Sequence, residues 1–167
     1  TGAGTRAVSF APEPNLAAVG RTATGSISGQ SYEFRQRGAS SRLVNISTRG
    51  RVGTGDDVLI VGFVTAGGSP LRSLGRGVGP SLEQHGVSGV LTNPSMALHE
   101  GPTRIDGNDD WGDVSDTQLA VEEVGRVGAF DLLPGSPDSL VLTQLAPRAY
   151  TAVISGVNGA EGIVLGE

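Results

Sequence analysis

The chain has 167 residues and a formal net charge of −5, with 27 glycines, no cysteine and only two histidines. Its charge is spread rather than blocked and leaves no basic stripe for a nucleic-acid partner, and the missing cysteines exclude disulfides. No apolar run approaches the about 18 residues of a membrane helix, and the twelve basic residues are all arginine, so lysine chemistry such as Schiff bases is excluded.

A chain of this length makes one domain and buries roughly 70% of its extended surface. Aromatic residues are 4% of the total, so the core must rest on Val, Leu, Ile and Ala. The chain begins at Thr1 rather than methionine, and the expectation is a removed leader or a fragment. Residues 1–40 are poor in large apolar groups. Strands are expected there at residues 5–10 and 29–35, where Tyr32 and Phe34 alternate with polar neighbours, and Pro12-Glu13-Pro14 breaks the first run. This part is expected to be an extended N-terminal arm or an edge hairpin.

From Ser41 to Glu167 the pattern tightens into a β-sandwich domain. Residues 42–48 alternate, with Val44, Ile46 and Thr48 on one face. After the turn Gly53-Thr54-Gly55-Asp56, residues 58–64 are apolar on both faces. They are expected to form the most buried strand, with Ile60 a costly place for a charge. Gly67-Gly68-Ser69-Pro70 turns the chain into a strand over 71–78, and residues 80–85 suit one helical turn. Residues 96–100 and 103–106 form a hairpin around Gly101-Pro102. Ser115 followed by Gln118 fits a capping box for one helix over 115–124, ended by Gly125. Strands follow at 140–145, 148–155 and 162–165. Many short strands with a single helix indicate an all-β fold, a jelly-roll-like β-sandwich with one short helix.

The strongest local signal is the acidic turn Asp106-Gly107-Asn108-Asp109-Asp110-Trp111-Gly112-Asp113. Oxygen ligands at alternate positions on a tight turn suit calcium, held here by Asp106, Asn108 and Asp110. Trp111 stands where an EF-hand loop needs glycine, and Thr117 where it needs glutamate, so the turn is not an EF-hand. The other reading is that the Asp and Asn side chains cap turns through backbone contacts and that Asp116 or Ser115 caps the helix. His85 and His99 lie in no metal spacing. No G-x-S-x-G surrounds a serine, and Gly75-Arg76-Gly77-Val78-Gly79 has Pro80 where a dinucleotide loop needs its last glycine. Asn45-Ile46-Ser47 is a glycosylation sequon within a strand-like alternation.

Arg42-Leu43-Val44-Asn45-Ile46-Ser47-Thr48-Arg49-Gly50, Val52-Gly53-Thr54-Gly55-Asp56-Asp57-Val58-Leu59-Ile60, Val78-Gly79-Pro80-Ser81-Leu82, Asn108-Asp109-Asp110-Trp111, Gly128-Ala129-Phe130 and Ala149-Tyr150-Thr151-Ala152 together resemble an uncharacterised β-sandwich module of large secreted bacterial surface proteins, over about residues 42–166. The half from Leu98 to Leu165 also resembles bacterial pre-peptidase C-terminal domains, in which an Asp-rich turn can hold calcium. That resemblance implies calcium at Asp106, Asn108, Asp109 or Asp110. Gly75 and Gly77 depart from the module, which has larger apolar residues there, and are expected to loosen one strand.

With no catalytic constellation, two functions stand. The first is a non-catalytic extracellular or cell-surface structural protein, a subunit of a self-assembling fibre. Its partners are other copies of itself, and its N-terminal arm, anchored by Val8 and Phe10, adds to a neighbouring copy. The second is an accessory module of a larger secreted protein that binds calcium or a glycan. Tyr32, Trp111 and Tyr150 are the aromatic residues open to a glycan platform, and Tyr150 is expected to point inward with Ala152 and Ile154.

Overall fold

The computed structural model describes residues 19–27, 29–36 and 44–167. Contacts divide the chain into two compact units, the boundary falling between Leu43 and Val44. In the first, β1 (Arg21–Ile27) and β2 (Gln30–Gln36) pair antiparallel, with Gly25 opposite Tyr32 and Ala23 opposite Phe34. Gly29, at φ 79°, makes the turn that an L side chain would strain. The first of these strands was not expected from the sequence. Val8, Phe10 and the strand expected over residues 5–10 lie outside the described residues.

The second unit contains β3 (Thr48–Val52), β4 (Leu59–Val64), β5 (Leu71–Val78), β6 (Pro94–Glu100), β7 (Thr103–Asn108), α1 (Thr117–Arg126), β8 (Ser139–Leu145), β9 (Ala149–Gly156) and β10 (Gly162–Gly166). One four-stranded sheet has the order β3-β10-β5-β8 and the other β4-β9-β6-β7, with every strand pair antiparallel. Each sheet takes alternate turns of the chain, so β3 lies beside the last strand and β4 beside the one before it. That winding is a jelly roll.

Strict alternation along the strands packs the two sheets together. Met96 and Leu98 of β6, Tyr150, Ala152 and Ile154 of β9, Val141 and Leu145 of β8, Val52 and Val164 meet in the inner core, with Leu59, Val61 and Phe63 at its margin. Gly75 and Gly77 do not loosen β5. A Cβ at Gly75 would sit 3.0 Å from the Met96 sulfur, and one at Gly77 would sit 2.5 Å from Ser139 Oγ. Side chains of the facing sheet and of β8 take up the space that the glycines leave.

The β3-β10-β5-β8 sheet is covered on its other face too. Val78, Leu140, Leu74, Leu142, Ile163 and Leu165 pack there beneath Ala120 and Val124 of α1, with Leu82 and Leu132. The second unit therefore has three layers, the helical layer, the β3-β10-β5-β8 sheet and the β4-β9-β6-β7 sheet, on whose outer face Ile60 and Val64 are exposed.

Two local expectations need correction. Residues 58–64 do not form the most buried strand. β4 is an edge strand, and while Leu59, Val61 and Phe63 are half-buried, Ile60 and Val64 are 62% and 74% exposed. Val44 and Ile46 are exposed and precede the strand, which begins at Thr48. The helix is capped by Asp116, whose carboxylate accepts from Leu119 N at 2.9 Å, rather than by Ser115. The helical turn at Pro80–His85 and the β6–β7 hairpin around Gly101 stand where the sequence places them.

Candidate functional site

The segments with the most recognisable sequence converge on two buried polar centres. Asp138, wholly buried just before β8, accepts from Gly79 N at 2.7 Å, from Ser81 N at 3.3 Å and from the hydroxyls of Ser81 and Ser136. Ser81 Oγ also accepts from Leu133 N at 2.8 Å. A nucleophilic serine needs an exposed hydroxyl and a base to take its proton. This one is buried and fully used, so its task is to hold the turn after β5 against the irregular segment that leads into β8. Gly79 is required there, since a Cβ would fall 1.9 Å from Leu91 O.

The second centre lies under the helical layer. Arg76, wholly buried on β5, donates through Nε to Glu167 Oε2 at 2.9 Å and through Nη1 to Phe130 O at 2.6 Å, and its guanidinium sits 4.9 Å from the Phe130 ring centroid. His85 covers the same ring, with centroids 4.4 Å apart. Asn45 closes the centre by donating to Glu167 and to Val127 O. That use of its amide leaves the sequon asparagine half-buried.

The acidic turn is spread out by the fold. Asp106 is half-buried on β7 and accepts from Gly107 N at 2.8 Å. Asn108 donates to Asp110 O at 2.8 Å and accepts from Leu140 N at 3.0 Å, so both ends of its amide bind backbone. Asp109 is exposed and Asp110 half-buried. Trp111 donates through its indole to Leu133 O at 3.0 Å. A cleft of about 440 Å³ opens beside the turn between β7, β8 and the start of α1, and Arg72, Asp106, Asn108, Asp113 and Asp116 line it. Among the described residues no three His, Asp or Glu side chains are grouped so as to hold a metal ion.

The remaining feature is the set of sheet edges. A free edge offers unpaired N–H and C=O groups to any passing strand, and proteins blunt such edges with charge, proline, bulges or cover. β3 carries Arg49 and Arg51, the latter paired with Glu161 at 3.2 Å. The ladder between β6 and β7 is broken by a register shift at Leu98/His99. β8 is covered at its start, where Trp111 N donates to Asp138 O at 2.7 Å and Asn108 takes Leu140 N. Among the described residues, β4, Leu59-Ile60-Val61-Gly62-Phe63-Val64, shows none of these devices. It carries no charge and no proline, and its register with β9 is unbroken.

The backbone of β4 shows which groups are open. Thr65 N donates to Arg148 O at 2.9 Å, in register with the β4–β9 ladder. Hydrogen-bonded positions alternate along an antiparallel strand, so Leu59, Val61 and Phe63 face β9. Ile60, Gly62 and Val64 turn their N–H and C=O groups to the edge and their side-chain positions to the outer face. A continuous apolar run located this strand but could not reveal the open edge. The available signal was a wholly uncharged run with a central glycine. Comparison with protein-family models, with curated proteins and with solved structures returns no match.

Proposed function

We propose that this chain is a non-catalytic structural protein, placed outside the cell or at its surface, whose copies assemble into a fibre. The observation that carries the reading is the unprotected, uncharged edge at Ile60, Gly62 and Val64, beside polar centres whose described groups serve the fold. A jelly roll does not by itself name a function, but an open strand edge is suited to strand addition.

The N-terminal arm is the second connector. Residues 1–40 carry Arg6, Arg21, Arg35 and Arg37 against Glu13 and Glu33, whereas the rest of the chain has 15 of the 17 acidic residues. Attraction therefore runs between the arm of one copy and the body of another, with Val8 and Phe10 as apolar anchors. Contacts that do not close on themselves build filaments. Electron microscopy of the intact protein should show fibres, and deleting residues 1–20 should leave a folded protein that forms none. An intact protein that stays monomeric at high concentration would overturn the reading.

The accessory-module reading rests on the cleft beside the acidic turn, which Asp106 and Asn108 line, although no three described carboxylates there are grouped for a metal ion. It requires calcium to raise the melting temperature and a chelator to reverse the rise.

A further inference from the structure

The open edge of β4 is complementary to itself. We infer that β4 pairs antiparallel with β4 of a second copy across a twofold axis at Gly62, joining two four-stranded sheets into one of eight. This rests on the self-assembly reading and specifies one of its contacts.

Three observations select this occupant. The outward-facing backbone groups belong to Ile60, Gly62 and Val64. In a twofold antiparallel pair centred on Gly62, Gly62 meets Gly62 and Ile60 meets Val64, so every outward donor finds an outward acceptor. A register slipped by one residue would set outward groups against groups already bonded to β9. The side chains agree with the hydrogen bonds. Ile60 and Val64 are among the most exposed large apolar residues, and each would cover the other across the axis. Gly62 has nothing within 4 Å of where its Cβ would be, so the centre of the contact is flat.

Charge selects the direction. Asp56 and Asp57 precede the strand. Antiparallel pairing sets the acidic ends of the two copies apart, whereas parallel pairing would set Asp57 beside Asp57. One six-residue strand pair buries less than the about 1,200 Å² at the lower bound of a standard stable interface. The contact is therefore weak and concentration-dependent. A twofold contact also closes at two copies, so a fibre needs the arm as its other joint.

The chain has no cysteine, so single thiols report the register in the full-length protein. Directly opposed, hydrogen-bonded residues have Cα atoms about 5.5 Å apart, within disulfide range. Gly62→Cys should give a covalent dimer on mild oxidation. Ile60→Cys alone should give none, because its two copies stand about 13 Å apart along the strand, but an equimolar mixture with Val64→Cys should cross-link. Gly62→Arg should weaken association at least tenfold in sedimentation and leave the melting temperature unchanged. Oligomers that persist without a Gly62→Cys link, or that link Gly62→Cys to Val8→Cys, would overturn this pairing while assembly stands. A protein monomeric at every concentration would overturn assembly itself.

Discussion

Asp138 shows how much one buried side chain can organise. Its two oxygens take the backbone N–H groups of Gly79 and Ser81 and the Ser81 hydroxyl across separations of 57 and 59 residues, together with the hydroxyl of nearby Ser136. Each buried donor left without an acceptor costs about 1–3 kcal/mol. Asp138→Ala should therefore lower stability by about 3–5 kcal/mol, read as a shift in the urea midpoint at unchanged slope. Ser81→Ala should cost less, because the carboxylate keeps its other donors. A near-neutral Asp138→Ala would show that the turn relaxes to find new partners. Both residues lie in or near recognisable sequence, yet neither announces the other. Ser81 follows a turn proline and Asp138 follows another, and only the register of β5 with β8 brings them together.

At the scale of the element, β4 and β9 have similar composition and opposite fates. β9 runs between β4 and β6, and its Ile154 is wholly buried. β4 lies at the sheet edge with Ile60 mostly in solvent. Ile154→Ala should cost about 2–5 kcal/mol through lost contacts and a cavity. Ile60→Asp should cost under about 1 kcal/mol, as surface changes generally do. Paired denaturation curves would test this, and a large loss at Ile60 would mean that its face is covered in solution. The strand was legible because a continuous apolar run marks it. Its exposure was not, because an apolar residue on an open face has the same identity as one in a core.

At the scale of the whole molecule, the helical layer is clipped to the sheet by charge. Glu123 accepts from Arg72 of β5 at 2.8 Å and from Arg126 at 2.9 Å. The hydrogen bond from Arg72 foremost, aided by Arg126 and opposed by partial burial, holds the Glu123 carboxyl below the usual carboxylate range. A depressed carboxyl pKa adds stability above the unfolded value, about 4.3, and that contribution is lost as pH falls through the folded value. Glu123→Gln should thus lower the melting temperature at pH 7 and narrow its gap to the parent below about pH 4. A gap that stays constant from pH 7 to pH 3 would show that the clip contributes nothing. The exposed arginines limit its size, since solvent screens such pairs.

The sequence by itself determined where most strands lie, the β6–β7 hairpin, the single helix and the all-β class. Those features follow from period-2 apolarity, glycine and proline punctuation and capping residues, all signals within a few residues of chain. Tertiary structure alone decided the rest. Arg76 meets Glu167 across 91 residues because β10 lies beside β5, an adjacency that no local pattern encodes. Asp106, Asn108, Asp109 and Asp110 look like one ligand set in sequence, and the fold turns Asn108 toward backbone and leaves Asp109 in solvent. Periodicity reports that a face is apolar, but whether a neighbour covers that face depends on strand order. Strand order left the edge of β4 open.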